Sequence, residues 1–488
     1  MKALLQMGQG AVNPLTRRMY MANRMNRRNF IGLGAAFAAA GCRTRFGGFP
    51  AITSVRSPNG LLRHMSIGCG NRAWADINAI CTHKMIEMAA FCDVDSKYLA
   101  QAKAKFPKAR FYRDWREMYE AEGDRVDSVL VGAPDHHHVA MATAAMKRGK
   151  HVFLEKPMAK TMQEAAFLRN VAKEAGVVTQ MGTQYNACKC DRQTAALLKS
   201  GVLGPVEHVY LFSTRKGKSR RRRMMPKFTP VPKHLDWDLW IGSAAMRPYA
   251  EEVYHPLIWR IWRDLGSGWI GDIGCHLIAS PWQGMELGSC APRDVWAETI
   301  TDAEEGVKDK VWPTAAHIVW NFDGAPASGG KPFKFEWFDG CSAPDALAPA
   351  NYRPPVEIER LFAASPMKKR PYEGKAIKCA KGWVMQPHAG GEAYAVTHGG
   401  KPVAIPDVGE VPSHYHAFVD CCFAGKPAAT DFSWSTYMRE CVIAGEIAER
   451  VVGRKITWDS QSRRFDNPDA NRFLTRPYRE GWKIPGLS

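Results

Sequence analysis

The sequence lacks any apolar run long enough to cross a membrane, for which a helix needs about 20 consecutive apolar residues. It also lacks a C-x-x-C pair, and its shortest cysteine spacings, Cys188-x-Cys190 and Cys421-Cys422, suit a tetrahedral metal site poorly. A disulfide framework is typical of small exported domains, not of a chain of 488 residues with 13 cysteines. We therefore predict no transmembrane span and no metal centre, and we interpret most cysteines as core residues.

The N-terminal region has the composition of a targeting segment. Arg27-Arg28-Asn29-Phe30-Ile31 precedes a weakly apolar stretch that ends in small residues at Ala40-Gly41-Cys42. This order is typical of a signal peptide, and the paired arginines resemble a twin-arginine signal. We predict that residues 1–42 direct export to the periplasm and that residues 43–60 are a linker. Cleavage near Ala40 would release the protein, whereas acylation of Cys42 would anchor it to the membrane on the exported side.

Acidic residues are scarce compared with basic ones, and the formal net charge is +19. Residues 1–42 hold six basic side chains and no acidic ones, so the rest of the chain carries about +13. Such an excess favours anionic partners. The densest basic run is Lys216–Arg223, which we interpret as a solvated loop; the alternative is a rim that recognises acidic or sulfated glycans. We predict no nucleic-acid partner, because the protein is expected to be exported.

Short apolar runs alternate with helical patterns between residues 61 and 185. The candidate strands are His64–Ile67, Met88–Cys92, Ser128–Val131, His151–Leu154 and Val177–Met181. The candidate helices lie near Trp74–Lys84, Ser96–Lys105, Trp115–Ala121, Val139–Arg148 and Met162–Ala175. This alternation predicts an α/β fold with a doubly wound parallel sheet of the Rossmann type.

Residues 186–488 have a different pattern, which predicts a second domain of the α+β class. Longer alternating runs suggest a large, open, mainly antiparallel sheet, and helical periodicity returns near the C-terminus. The runs are Val206–Ser213, Ala315–Phe322 and Phe333–Phe338, and the helical patterns are Tyr415–Phe423 and Tyr437–Val452. Segment Ser342–Gly374 resembles an insertion with Pro-rich loops.

A glycine-rich turn, Gly68-Cys69-Gly70-Asn71-Arg72-Ala73, follows the first strand and opens a helix. Gly68 permits the tight turn, Gly70 lets a pyrophosphate approach the backbone, and the helix amides bind phosphate. Asp93 ends the next strand, where a carboxylate binds ribose hydroxyls and repels a 2′-phosphate. This arrangement favours NAD over NADP.

Two further motifs follow strands of the same domain. Pro134-Asp135-His136-His137-His138 invites a metal interpretation, but a turn and helix cap with one histidine facing the cofactor explains it better. Glu155-Lys156-Pro157 follows the strand His151–Leu154. A lysine at the carboxyl end of a parallel strand lies where open α/β sheets bind ligands.

Gly68–Ala73, Pro134–His138 and His151–Ala159 together resemble the Gfo/Idh/MocA family, which includes glucose–fructose oxidoreductase and inositol dehydrogenases. The resemblance extends roughly from Leu61 to the C-terminus and implies a homo-oligomer assembled through the second domain. It also implies a set of cofactor contacts. These are Gly68, Gly70, Asn71, Arg72, Ala73, Asp93, Pro134, His138, Glu155 and Lys156.

The resemblance also implies a catalytic set of Lys156, Asp272 and His276, because Gly271–His276 matches the family's Asp and His four residues apart on a helix. Residues at this spacing share a helix face. Histidine is a suitable base for a hydroxyl proton, a lysine stabilises the developing alkoxide, and a carboxylate orients both. We also expect the substrate to contact Tyr185, Trp259, Arg260 and Arg263. For the segment Trp259–Asp264, the alternative is that its aromatic residues belong to the core and its arginines to the surface.

These observations predict an NAD-dependent oxidoreductase that acts on a secondary hydroxyl of a sugar, polyol or glycan fragment, which could be acidic. Because the periplasm has no free NAD pool, we expect a tightly bound cofactor that is recycled within the site. An alternative is a glycosidase or lyase that oxidises a sugar transiently; the intact Glu155-Lys156-Pro157 motif favours the first hypothesis. A non-catalytic sugar-binding relative is the third, and the intact catalytic set argues against it.

Overall fold

The structure is a computed structural model that describes residues 60–214, 223–340 and 350–487. The predicted signal peptide with Cys42, the linker up to residue 59 and residues 215–222 of the basic run lie outside the described residues. So do residues 341–349 of the predicted insertion. Every helix in the described ranges is too short or too polar to cross a bilayer.

The first domain contains a sheet of six parallel strands with the order β3-β2-β1-β4-β5-β6. The strands are β1 Leu62–Ile67, β2 Ile86–Cys92, β3 Arg110–Tyr112, β4 Ser128–Val131, β5 His151–Leu154 and β6 Thr179–Met181. The strand order reverses between β1 and β4, and at such a switch point an open α/β sheet forms a ligand crevice. This arrangement confirms the predicted Rossmann-type parallel sheet.

Five helices connect these strands. They are α1 Asn71–Ile80, α2 Ser96–Lys105, α3 Trp115–Glu122, α4 His138–Met146 and α5 Met162–Ala175. The bounds of α5 agree with the prediction because both ends carry local signals. Thr161 and Glu164 form a capping box at the start, and Gly176 ends the helix with φ +60°.

The second domain contains a ten-stranded sheet with the order β14-β13-β12-β11-β7-β10-β9-β8-β15-β16. Its strands are β7 Val206–Ser213, β8 Asp294–Ile300, β9 Ala315–Phe322, β10 Phe333–Phe338, β11 Glu373–Cys379, β12 Gly382–Pro387, β13 Tyr394–Thr397, β14 Pro402–Val403, β15 Ile456–Asp459 and β16 Arg464–Phe465. Of the described pairs in this sheet, only β7 and β10 run parallel. The predicted large, mainly antiparallel sheet is therefore confirmed.

The described residues after position 186 include seven α-helices. They are α6 Lys189–Ser200, α7 Trp237–Ile241, α8 Cys275–Gly284, α9 Val356–Ala364, α10 His414–Ala424, α11 Phe432–Ala448 and α12 Pro468–Asn471. Helix α11 packs against α5 of the first domain and against α8. One apolar core therefore continues from the parallel sheet into the second domain, and it fixes the elements that carry the site.

Candidate functional site

The glycine turn after β1 lies at the switch point of the parallel sheet. Gly68 has φ +92°, and a Cβ atom there would lie 2.9 Å from the carbonyl carbon of Gly132, so only glycine fits. A Cβ on Gly132 would in turn lie 2.5 Å from the Cβ of Ala73. No side chain caps the start of α1 at Asn71, so its first amides are available to an anion such as a pyrophosphate.

A cavity of about 420 Å³ extends along this turn. Asp93 at the end of β2 lines one part of it, and Lys156 after β5 and Asp272 line another. Gly68, Gly70, Asn71 and Arg72 line the stretch between them. Its size is typical of small-molecule sites, and the order of its lining groups fits a dinucleotide.

The Asp93 carboxylate is held by the backbone and does not project freely. It accepts hydrogen bonds from the amides of Cys69 (2.7 Å) and Asp95 (2.9 Å). Burial nevertheless raises its pKa to about 6, and these hydrogen bonds offset only part of that effect. Each carboxylate oxygen keeps a second lone pair that can accept a ribose hydroxyl.

A segment of the second domain covers the Asp93 end of the cavity. Trp240 and His255 line the cavity opposite the parallel sheet. The Asp95 carboxylate accepts hydrogen bonds from His234 and His255, each at 2.9 Å, and the amide of Ser96 donates to the carbonyl of His234 at 2.8 Å. These polar contacts fix residues 234–256 over the cavity.

The three histidines after β4 contact backbone carbonyl groups. His136 and His137 lie 3.1 and 2.7 Å from the carbonyl of Trp240. His138 is buried between the carbonyls of Pro157 (2.8 Å) and Ala133 (2.7 Å). His137 and Pro134 line the cavity and His138 does not, so His138 supports the loops after β4 and β5 instead of facing the cofactor space.

Lys156 and Asp272 form a buried ion pair in the cavity wall. The Lys156 Nζ donates to the Asp272 carboxylate at 2.5 Å and to its carbonyl at 2.8 Å. Burial alone would lower the pKa of Lys156, but the Asp272 carboxylate raises it above its usual value. Burial would likewise raise the pKa of Asp272, and Lys156 and Arg260 lower it instead. Both groups are therefore charged at neutral pH.

His276 lies on the same helical segment as Asp272 but outside the cavity lining. The segment Ile270–Gly274 is a π-helical turn that leads into α8, a feature often found at functional sites. The His276 side chain is buried, and its Nδ1 has no hydrogen-bond partner among the described residues. Burial, followed by the charge of Lys156, lowers its pKa well below the usual value, so its ring is neutral.

Tyr185 packs edge-on against His276, with ring centroids 5.1 Å apart. It also packs against His388, at 4.5 Å. His388 follows β12. The sequence interpretation did not include it, because it lies more than 100 residues from every motif. The sequence interpretation also did not include His234 and His255, because neither belongs to a motif, and their hydrogen bonds to Asp95 reveal their place.

The predicted substrate residues Trp259, Arg260 and Arg263 line two different cavities in the structure. Trp259 and Arg260 line the cavity, and the Arg260 guanidinium lies 4.3 Å from the Trp259 ring and 3.7 Å from the Asp272 carboxylate. Arg263 lines a different cavity. The chain turns sharply here: a Cβ on Gly266 would lie 2.5 Å from the Cα of Arg260.

Glu155 is buried beside Lys156 and takes part in a polar network. Its carboxylate accepts a hydrogen bond from Gln184 and lies 4.0 Å from Arg72. Burial and then the charge of Asp76 raise the pKa of Glu155 well above its usual value. This network ties the helix after the glycine turn to the strand end that carries Lys156.

Comparison with known proteins agrees with this geometry. A family model described as "Oxidoreductase family, NAD-binding Rossmann fold" matches residues 62–183. A second, described as "Oxidoreductase family, C-terminal alpha/beta domain", matches residues 197–310. The crystal structure of aldose-aldose oxidoreductase from Caulobacter crescentus complexed with glycerol has a TM-score of 0.55 and 18% identity. That comparison covers 81% of this chain and 99% of that one, and it shows a shared fold.

Two curated relatives differ in their named activities. A glycosyl hydrolase family 109 protein from Solibacter usitatus is 33% identical over 162 residues, which cover 31% of this chain and 37% of that protein. Glucose-6-phosphate 3-dehydrogenase from Bacillus subtilis is 24% identical over 216 residues, or 44% of this chain and 51% of that enzyme. The chain thus spans about half or less of the length of these relatives. It belongs to the Gfo/Idh/MocA family of oxidoreductases, and its first domain is the NAD-binding Rossmann fold of that family.

Proposed function

We propose that this protein is an NAD-dependent oxidoreductase that oxidises or reduces a secondary hydroxyl carbon of a sugar or polyol. The observation that carries the proposal is the Lys156–Asp272 ion pair at the end of a cavity that begins at the glycine turn. NAD, when bound, would supply the acceptor or donor of hydride. The named activity of the Bacillus subtilis relative, a sugar-phosphate dehydrogenase, supports the substrate class.

The charged groups of the site are arranged to stabilise an alkoxide. The Lys156 cation is held at the cavity wall by Asp272, and a substrate hydroxyl beside it would lose its proton more readily. His276 lies outside the lining of this cavity, so it is the candidate base for a substrate that reaches past Lys156 towards it; its ring is neutral and therefore able to accept a proton. Its low pKa makes it a weak base, so the proton transfer depends on the Lys156 charge to lower the proton affinity of the alkoxide.

The cover over the cavity supports a tightly held cofactor. Residues 234–256 of the second domain are held to Asp95 and Ser96 by hydrogen bonds, and Trp240 and His255 line the cavity on that side. These contacts would slow the release of a bound dinucleotide. Such retention suits an exported enzyme that recycles its cofactor within the site.

A second candidate is a glycosidase or lyase in which oxidation is transient. The Solibacter usitatus relative, named as a glycosyl hydrolase, favours it. The same Lys156, Asp272 and His276 would then serve oxidation before bond cleavage and reduction after it. The retained Glu155-Lys156-Pro157 motif keeps the net oxidoreductase as the first candidate.

One experiment separates these candidates. The protein is purified, denatured and assayed for released NAD(H) and NADP(H), and the native protein is then given a panel of sugars, polyols and aryl glycosides. An oxidoreductase changes the nicotinamide absorbance with a free sugar. A glycosidase releases the aryl group with no net change in absorbance. The absence of nucleotide and of any measurable NAD affinity would contradict both, and binding of a sugar without turnover would indicate a non-catalytic relative.

We also propose export through the twin-arginine route, supported by the composition of residues 1–42. Replacing Arg27-Arg28 with two lysines should retain the protein in the cytoplasm, as measured by cell fractionation. Unchanged export would refute the proposal. Incorporation of a lipid precursor that disappears in Cys42→Ala would show an anchored protein, and its absence a free periplasmic one.

A further inference from the structure

The segment Trp259–Asp264 separates two cavities. Trp259 and Arg260 line the cavity of Lys156, whereas Trp262 and Arg263 line a second cavity of about 700 Å³. The two cavities share no lining residue. The second one is therefore a separate space, formed by this segment, by α11 and by the C-terminal residues 472–477.

Positive charge dominates the second cavity. Seven cationic and three acidic side chains line it, and two of the three carboxylates already have partners. Glu446 forms a bidentate ion pair with Arg439, at 2.6 and 3.0 Å. Asp264 pairs with Arg247. The cavity therefore presents an excess of cations to any molecule that enters it.

Three of these cations form no ion pair within 4 Å among the described residues, although the more distant carboxylate of Glu449 acts on two of them, Arg263 and Arg450. Arg263 donates to the carbonyl of Asp309 at 3.2 Å, and its Nε is buried without a hydrogen-bond partner in that part of the chain. The closest acceptor of Arg450 is the carbonyl of Arg263, at 3.5 Å. Lys160 likewise contacts only carbonyl groups, including that of Arg263 at 3.2 Å.

Arg263 and Arg450 converge on one indole ring. Their guanidinium carbons lie 5.7 and 4.8 Å from the centre of Trp312, whose own N–H is fixed by the carbonyl of Gly266 at 2.9 Å. Burial, followed by the charge of Arg263, lowers the pKa of Arg450 to about 10. The carboxylates of Glu446 and Glu449 offset this lowering only in part. Two half-buried like charges side by side are unfavourable, and a carboxylate, sulfate or phosphate group bound between them would relieve the repulsion.

Large apolar side chains lie on the exposed part of the cavity lining. Met225, Phe228 and Met246 are 50%, 59% and 50% exposed. These are large fractions for apolar side chains of this size, and such exposed patches mark interaction sites. Exposed charged residues lie on the same part of the lining: Asp264, Asp309, Lys310 and Arg472. A cationic interior with large apolar side chains at its mouth fits an organic anion better than an inorganic one.

We propose that this second cavity binds a small organic anion, with its carboxylate, sulfate or phosphate group between Arg263 and Arg450 and its body against Phe228 and Met246. This site is independent of the proposed oxidoreductase function, because it shares no residue with the cavity of Lys156. The anionic group provides affinity through charge-assisted hydrogen bonds. The body provides selectivity over inorganic ions.

Isothermal titration of the full-length protein tests this site with four probes: methyl glucuronide, glucose 6-sulfate, neutral methyl glucoside and inorganic sulfate. Methyl glucuronide or glucose 6-sulfate, or both, should bind about tenfold or more tightly than the two controls, methyl glucoside and inorganic sulfate. Comparing the affinities of the carboxylate and the sulfate ester shows which anionic group is preferred. Equal binding of all four, or no binding at millimolar concentrations, would overturn the proposal.

Variants locate the binding. Arg450→Gln should weaken binding of the preferred anion by about 10- to 100-fold, and Phe228→Ser, at the exposed mouth, should weaken its binding a few-fold. The affinity should be unchanged in Arg472→Gln, which removes a highly exposed cation of the same lining, and in Lys156→Met, which changes the other cavity. If Arg450→Gln fails to fold, the affinity of Phe228→Ser provides the test. Unchanged affinity in a folded Arg450 or Phe228 variant, or loss of binding in Lys156→Met, refutes the assignment.

Discussion

The preference for NAD over NADP should depend on pH through Asp93. Its carboxylate lies at the end of β2 and lines the cavity. Burial raises its pKa to about 6, although the amides of Asp95 and Cys69 stabilise the ionised form. The group is therefore ionised and repels a 2′-phosphate above that pH, and it becomes neutral below it.

The size of the effect follows from the charges. Two unit charges about 4 Å apart interact by about 4 kcal/mol at an effective dielectric constant of 20, and solvent and salt reduce this. Since about 1.4 kcal/mol is a factor of ten in binding, we expect NAD to bind roughly 10²–10³-fold more tightly than NADP near pH 8. Below the pKa of Asp93 the preference should fall by up to about tenfold for each pH unit.

Dissociation constants of NAD⁺ and NADP⁺, measured on nucleotide-free protein between about pH 5 and pH 8, test this expectation. The 2′-phosphate also titrates near pH 6, so Asp93→Asn is the control that retains only the contribution of the phosphate. The preference of Asp93→Asn for NAD over NADP should be small and should vary less with pH, and Asp93→Ala should likewise bind NADP more readily. The reasoning would be refuted if this preference depended on pH as steeply in Asp93→Asn as in the unmodified protein, or if it did not depend on pH in the unmodified protein.

The remaining predictions concern the Lys156 pair and His276. Lys156→Met and His276→Ala should each lower turnover of an identified substrate by about 10²–10⁴-fold, whereas the affinity for NAD should be nearly unchanged. The two effects should not add in the double variant. Near-normal turnover of His276→Ala would point to Tyr185 as the base. Asp272→Asn should move the alkaline limit of kcat/KM to lower pH, because burial lowers the pKa of Lys156 once the carboxylate is gone. An alkaline limit that stays in place would show that Lys156 does not need its charge.

The fold of the first domain could be predicted because its buried strands are short apolar runs with clear ends. β4 and β5 have the predicted bounds, and β7 does too. The strand Arg110–Tyr112 was missed, since its three residues are partly exposed and carry no apolar run. The π-helical turn Ile270–Gly274 was also missed, because one extra residue per turn leaves no pattern in a five-residue segment.

The site could be predicted most directly where a motif follows a strand. Gly68, Asp93 and Lys156 all lie at strand ends, and the structure brings them to one cavity. The loop residues could be assigned only in part, because Arg260 and Arg263 are three residues apart in the sequence and line different cavities. The family resemblance also selected His138, whereas the backbone carbonyls of Ala133 and Pro157 hold that ring away from the cavity.

The proposed export requires that the cofactor be retained, and we expect the segment over the cavity to link the two. The segment that covers the cavity belongs to the second domain and is held to Asp95 and Ser96 by contacts that form only when both domains are folded. NAD should therefore enter before or during this closure, in the cytoplasm, where the nucleotide is present. The twin-arginine route carries folded proteins and would deliver the closed complex.

Weakening the contacts of the segment over the cavity with His255→Ala should speed release of bound nucleotide, measured by dilution into nucleotide-free buffer. Release from the unmodified protein as fast as from this variant would remove the physical reason for internal recycling.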